Sequence, residues 1–200
     1  MAGLIGVFGG SFDPPHHGHR ILADEARAAF GLERVLWVVT AQPPHKQDLT
    51  LSPPDVRAAL VQAALGGDEG FELSRADLDR PPPHFAVGTL DWLQTHNPGA
   101  RWAYLMGSDS LRDLPTWHDP RGLLARCAIL AVMRRPGVEI DLEALEQAVP
   151  GLRAKARFFE APWVGISGRE IRERVRSGRP YRSLVPRAVA TLIGERQLYR

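Results

Sequence analysis

The sequence predicts an α/β protein: a parallel sheet with helices on both faces, followed by a helical C-terminal end. Three observations carry that prediction. Apolar β-rich runs alternate with helix-periodic segments over most of the chain. The early runs LIGVF (4–8) and RVLWVVT (34–40) show no polar alternation, as expected of parallel strands covered on both faces. Beyond residue 166 the pattern changes to a basic helical stretch and then an amphipathic one.

The elements follow in order. LIGVF is the first strand and ends at Gly9-Gly10. In HRILADEARAAFGL (19–32), Ile21, Leu22, Ala26 and Phe30 share a helical face and Gly31 stands as the stop. RVLWVVT is the second strand. SPPDVRAALVQAAL (52–65) is a helix with Ser52 as its N-cap and prolines in its first turn. PPP (81–83) is a stiff loop before a third helix, FAVGTLDWLQTH (85–96). WAYLMG (102–107) and AILAVM (128–133) are further strands, with a shorter candidate in RFFEA (157–161). SGREIRERVRSG (167–178) is a basic helix with Ile171 and Val175 four apart. The last helix, in VPRAVATLIGERQLY (185–199), starts near Pro186 and lines up Val189, Leu192 and Ile193. Strand–helix alternation implies right-handed crossovers. With no internal repeat, low-complexity tract or linker, the expectation is one domain over 1–200 with a helical subregion from about 162.

Composition narrows the function classes. A chain of 200 residues can bury a substantial core. Its 44% hydrophobic and 24% charged residues are ordinary for a soluble protein. A formal net charge of +2 permits anionic ligands without specifying one; nucleic-acid binding would need a clustered basic stripe, and no nucleic acid is expected as a partner. Cys127 is the one cysteine, which excludes an intrachain disulfide, and its apolar setting in CAILAV reads as an inert core thiol. MAGLIGVFGG lacks a basic n-region and breaks at Gly9-Gly10, and no apolar run approaches the ~18 residues of a membrane span. The expectation is a cytoplasmic protein without a membrane partner, its oligomeric state left open, a homo-oligomer included.

The most informative stretch is GGSFDPPHHGHR (9–20), at the carboxyl end of the first strand, where open α/β sheets bind ligands. Gly9 and Gly10 let the backbone approach a ligand closely. The helix that follows offers unpaired N–H groups and a partial positive charge, a site for phosphate. His16 and His19, three apart, can share a face and donate hydrogen bonds to phosphoryl oxygens. The loop is neither GxGxxG nor a Walker lysine loop. Two alternatives stand beside the phosphate reading. The histidines could be capping groups in a tight turn, or His16, His17 and His19 could ligate zinc, although adjacent His16 and His17 tend to diverge and no HExxH or CxxC partner is present.

GGSFDPPHHGH resembles the nucleotide-binding signature of the nucleotidylyltransferase superfamily, its HxGH element being His16-His17-Gly18-His19. Class I aminoacyl-tRNA synthetases share a related element, but 200 residues leave little room for their additional domains. Within the superfamily the chain is similar, along nearly its whole length, to the bacterial nicotinate-mononucleotide adenylyltransferase family. The segments QPPHK (42–46), LDRPPPHFAVGTL (78–90), MGSDSLRDLPTWHDP (106–120), RRPG (134–137), PWVGISGREIRERV (162–175) and the closing LYR occur in the family's order and spacing. The resemblance implies a Rossmann-like nucleotidylyltransferase fold. It also implies transfer of AMP from ATP to nicotinate mononucleotide, giving a dinucleotide and pyrophosphate.

Because the attacking group is already an anionic phosphate, that chemistry needs alignment and charge stabilisation rather than a protein nucleophile. Magnesium, held mainly by the ATP phosphates, is expected as the metal, with ATP as co-substrate. By resemblance, His16 and His19 contact ATP phosphates, Lys46 adds charge to them, and Ser167 and Arg172 bind the pyrophosphate end, with Ile166 beside the ATP. Backbone groups of Gly9, Gly10, Ser11 and Phe12 line the junction of the two nucleotides. Asp109, beyond a strand end at Gly107, can accept ribose hydroxyls or simply cap a helix. Trp117 is implied to stack on the pyridine, Phe85 and Ala86 to frame it, and Arg134 and Arg135 to lie near the nucleotides. Two positions depart from the family: Gly168-Arg169 stands where a small residue and Thr are usual, and Ala86 lacks a Thr hydroxyl while keeping its N–H. Rival expectations are another acceptor (nicotinamide mononucleotide or pantetheine phosphate) and a nucleotide-binding regulator without turnover.

Overall fold

A computed structural model describes residues 3–42 and 51–200. Among these, the strands β1 (Leu4–Gly10), β2 (Val35–Val39), β3 (Phe71–Ser74), β4 (Arg101–Gly107), β5 (Ile129–Met133) and β6 (Ala156–Phe159) form one sheet. Its order is β3-β2-β1-β4-β5-β6 and every pairing is parallel. The chain therefore runs outward from β1 in one direction, then crosses back to β4 and runs outward in the other. The β1/β4 boundary is the switch point of a doubly wound sheet.

The helices follow the predicted periodicities. α1 (His17–Phe30) buries Leu22, Ala23 and Ala26 and stops at Gly31, whose φ of 58° is the left-handed cap that glycine adopts without cost. α2 (Pro54–Leu65) and α3 (Ala86–His96) match their expected spans to within a residue or two. The short helices α4 (Ser108–Asp113), α5 (Pro120–Arg126), α6 (Leu142–Ala148) and α7 (Leu152–Lys155) were not predicted. α8 (Gly168–Arg176) and α9 (Arg187–Glu195) complete the order. Ile171 of α8 and Val189 and Ile193 of α9 pack with Leu60 of α2, so the C-terminal helices dock on the helical layer rather than on the sheet.

Two details correct the sequence reading. Pro53, not Ser52, occupies the N-cap of α2. Ser52 lies one residue too far upstream, and its backbone is used elsewhere: its N–H donates to Asp13 and its carbonyl accepts from Arg57. The edge strand β3 was missed because FELS is four residues long with Glu72 exposed. Cys127 is buried, and burial pushes its thiol pKa up to about 12, as expected of an inert core cysteine.

Candidate active site

Beyond the carboxyl ends of β1 and β4 lies a cleft of about 690 Å³. Gly9, Gly10, Ser11 and Phe12 line it from the loop after β1, and His16 and His19 from the entrance of α1. Gly107 and Asp109 come from the end of β4, Arg135 from beyond β5, and Ile166, Ser167 and Arg172 from the start of α8. A second cleft of about 210 Å³ is lined by Phe85, Ala86 and Trp117 and shares Gly9, Gly10 and Ser11 with the first. The two lobes meet over the β1 carboxyl end, with Trp117 bordering both. Lys46 falls outside the described residues.

The histidine loop is built from its aromatic anchor. Phe12 has a φ of 47°, a left-handed conformation rare for a bulky residue, and its ring is almost fully buried. That ring packs edge-on against Phe8 at 5.4 Å and His19 at 5.0 Å, and tilted against Trp37 at 5.0 Å. Core packing thus holds a strained backbone whose polar groups border the cleft. A Cβ on Gly10 would come within 2.8 Å of the Phe12 ring, so this position has no room for a side chain.

His16 is the N-cap of α1, and its backbone N–H donates to His19 Nδ1 at 3.2 Å. With Nδ1 accepting, a neutral His19 carries its proton on Nε2. The capping and phosphate readings of the sequence are therefore compatible in one residue. The His16 and His19 rings stack with centroids 3.7 Å apart. Stacked rings do not converge their nitrogens on a common point, which disfavours the zinc reading. No trio of metal-ligating side chains is gathered among the described residues. Burial, with the charges of Arg135 and His17 adding to it, pushes the His16 pKa down to about 4. His16 is accordingly neutral at pH 7, a hydrogen-bonding group rather than a charge, and its buried Nδ1 has no partner in the protein.

Asp109 and Arg135 form the opposite wall. Arg135 Nη1 donates to Asp109 Oδ2 at 3.0 Å, and the Arg135 N–H donates to Ser108 Oγ at 3.1 Å. Asp109 Oδ1 and Arg135 Nε remain buried without partners, an acceptor and a donor left over for a polar ligand. Arg134 is a correction: it pairs with Glu160 at 3.3 Å, lies 4.3 Å over the Phe158 ring, and does not line the cleft.

At α8, Ser167 caps the helix by accepting from the Glu170 N–H at 3.2 Å. A Cβ on Gly168 would lie 2.9 Å from the Asp13 carbonyl oxygen, so the departure to glycine lets α8 dock directly on the histidine loop. Arg172 Nη1 donates to that same carbonyl at 2.6 Å. Arg169 is exposed at the cleft's edge.

Several residues of the site were passed over in the sequence. Asp13 is buried and accepts from the Ser52 N–H at 3.1 Å and the Tyr199 hydroxyl at 2.7 Å. Arg57, 1% exposed, donates to the carbonyls of Ser52, Ser11, Thr40 and Ala41, all between 2.8 and 2.9 Å. Burial pushes its pKa down, opposed by the nearby Asp13 and Tyr199. In the smaller lobe, the buried Asp77 accepts from Arg80 at 3.0 Å and from Thr89 Oγ1 at 2.7 Å. Arg80 also holds the carbonyls of Pro83 and Phe85, fixing the turn that delivers the uncapped first N–H groups of α3. His118 stacks on Phe85 at 4.1 Å, and Trp117 meets Tyr104 edge-on at 6.2 Å. Trp163 is 53% exposed at the larger lobe, 5.8 Å from the Arg135 guanidinium.

Residues 7–174 match the model of the cytidylyltransferase-like family. A Thermomicrobium roseum protein named probable nicotinate-nucleotide adenylyltransferase is 41% identical over 196 residues, covering 98% of this chain and 91% of that protein. A Roseiflexus castenholzii protein of the same name is 38% identical over 200 residues, covering 100% of this chain and 99% of its own length. Among solved structures, a Plasmodium falciparum nicotinic acid mononucleotide adenylyltransferase complexed with NaAD superposes with a TM-score of 0.79 at 18% identity, covering 98% of this chain and 97% of that one. At that identity the likeness concerns the fold, and it includes the C-terminal helices. By the family model and the full-length relatives together, the chain belongs to the cytidylyltransferase-like family, in the branch named nicotinate-nucleotide adenylyltransferase.

Proposed function

We propose that the protein transfers AMP from ATP to nicotinate mononucleotide, releasing pyrophosphate and forming nicotinate adenine dinucleotide, a step of NAD biosynthesis. The observation that carries this reading is the pair of lobes meeting over Gly9, Gly10 and Ser11, with histidines beside one and Phe85, Ala86 and Trp117 beside the other. Two nucleotides laid in the two lobes would bring their phosphates together at that junction.

In the reaction, a phosphate oxygen of the mononucleotide bonds to the α-phosphorus of ATP as the bond from that phosphorus to the bridging oxygen breaks. The electron pair leaves with pyrophosphate, and no proton transfer is required. The protein's part is orientation and charge stabilisation. His16, neutral at pH 7, and His19 act as hydrogen-bond donors to phosphoryl oxygens, and Lys46 adds a positive charge. Arg172 and the N-terminus of α8 take the charge of the departing pyrophosphate. Asp109 Oδ1 accepts a ribose hydroxyl of ATP. The first N–H groups of α3 receive the pyridine carboxylate, and Trp117 stacks on the ring.

A magnesium ion fits this donor set through the nucleotide rather than through the protein. The Asp13 oxygens are already engaged by Tyr199 and Ser52, and Asp109 is paired with Arg135, so the ion would ride on the phosphates and neutralise part of their charge. One domain over 1–200 and a cytoplasmic setting belong to the same reading. In support, α8 and α9 share a core with α2, and no helix among the described residues is long and apolar enough to cross a membrane.

The test is direct. Purified protein with ATP and magnesium should release pyrophosphate when given nicotinate mononucleotide, with a higher kcat/KM than for nicotinamide mononucleotide. No turnover with either would overturn the reading.

A further inference from the structure

The closing LYR belongs to the set of recognisable segments, yet the chemistry above gives it no part. Its tyrosine reaches into the histidine loop. The Tyr199 hydroxyl donates to Asp13 Oδ1 at 2.7 Å, across 186 positions of sequence. The ring meanwhile packs against the cluster that contains Ile171 and Val189, so the phenol is held from both ends. The backbone there is unusual: Gln197 has a φ of 51° and Tyr199 a φ of 66°, both in the left-handed region that side chains rarely adopt. Such strain is kept where the surroundings over-determine it.

Asp13 is the hinge of the arrangement. Only 4% of its surface is exposed, and its two oxygens have separate partners, Tyr199 on Oδ1 and the Ser52 N–H on Oδ2. Arg172 Nη1 sits 3.9 Å from Oδ2 and donates to the Asp13 backbone carbonyl at 2.6 Å. The same residue thus receives the phenol on its side chain and the guanidinium on its backbone. Loss of the phenol would leave a buried carboxylate oxygen unpaired, and the cheapest remedy is a turn of Asp13 toward Arg172, whose guanidinium already lies 3.9 Å from Oδ2.

We propose that Tyr199 is a positioning residue for the transfer reaction: by holding Asp13 it sets the guanidinium of Arg172 at the pyrophosphate end of the cleft. The inference rests on the adenylyltransferase reading and adds to it a residue that lines neither lobe.

Tyr199→Phe removes the hydroxyl and keeps the ring in its cluster. The variant should lower kcat about tenfold, the scale of one buried hydrogen bond to a charged group. In the reverse reaction the KM for pyrophosphate should rise by a similar factor, while the KM values for the mononucleotide and the dinucleotide stay within about twofold. In an Arg172→Lys background, Tyr199→Phe should cost almost nothing further, because the group it orients is already altered. A merely structural role would lower the melting temperature and act equally in both backgrounds. Wild-type kcat in Tyr199→Phe, or additive losses with Arg172→Lys, overturns the inference. Where Tyr199→Phe does not fold, Asp13→Asn takes its place in the same cycle: non-additive losses with Arg172→Lys support the coupling, and additive losses overturn it. Turnover of the unaltered protein is measured alongside, so that an inactive wild type counts against the adenylyltransferase reading and an active one with an indifferent Tyr199 counts against this inference alone.

Discussion

His19 Nδ1 accepts the backbone N–H of His16 at 3.2 Å while the two rings stack at 3.7 Å. The bond caps α1, orients the His19 ring and leaves the proton of a neutral His19 on Nε2, while the stacking aligns the His16 ring with it. Pre-set donors of this kind matter most where charge develops in the transition state. His19→Ala should therefore lower kcat by about 10²–10³-fold while changing the KM for nicotinate mononucleotide less than about threefold. Steady-state kinetics with the mononucleotide varied at saturating ATP checks it, and an unchanged kcat would contradict the assigned role.

The depressed pKa of His16 makes a prediction about stability. Its folded value, about 4, lies below the 6.5 of an unperturbed imidazole, so the unfolded chain binds the proton more readily between those pH values. Stability from this group is complete above pH 6.5 and declines as pH falls toward 4. At pH 5 the loss relative to pH 7 is about 2 kcal/mol by linkage. Urea unfolding of the protein and of His16→Gln at pH 7 and pH 5 isolates it: the variant should lose less stability on acidification. Parallel losses in the two proteins would mean that His16 does not resist protonation.

The histidine loop, the α8 helix and the β1–α1 unit were legible in the sequence because each rests on local chemistry: glycine at turns and apolar spacing along a helix. The strand β3 and the helices α4 to α7 are too short for periodicity to register. In the sequence Asp13 is one polar residue beside two prolines, and Arg57 one polar position in an apolar helix. Their roles come from partners far along the chain, Tyr199 for Asp13 and the Ser11 and Thr40 carbonyls for Arg57, and no local pattern encodes such pairs. Arg134 and Arg135 show the converse. Adjacent on the chain and alike in chemistry, they leave the end of β5 differently, one to Glu160 and one to Asp109.

Trp117 borders both lobes and meets Tyr104 edge-on at 6.2 Å. If the ring stacks on the pyridine, Trp117→Ala removes about 0.5–1.5 kcal/mol of aromatic interaction together with the apolar contact. The KM for nicotinate mononucleotide should rise about tenfold, with the KM for ATP little changed. Trp117→Phe should recover most of the loss. A flat mononucleotide KM in the alanine variant would remove Trp117 from the pyridine site.

Arg57 holds four backbone carbonyls with one guanidinium: Ser11 in the histidine loop, Thr40 and Ala41 after β2, and Ser52 before α2. A lysine at this position is a point charge that cannot reproduce the planar fork, so Arg57→Lys leaves at least one buried carbonyl unpaired. Each such group costs about 1–3 kcal/mol, and a protein of this size loses about 2–4 °C of melting temperature per kcal/mol. The expected shift is a drop of about 5 °C. Because Ser11 lies at the junction of the two lobes, kcat should fall as well in assays run well below the melting transition. Differential scanning calorimetry paired with steady-state kinetics at about 25 °C reads both. A melting temperature within a degree of the parent would show that the four carbonyls are satisfied without the fork, and activity loss without destabilisation would mean that Arg57 acts on the reaction rather than on the loop that frames it.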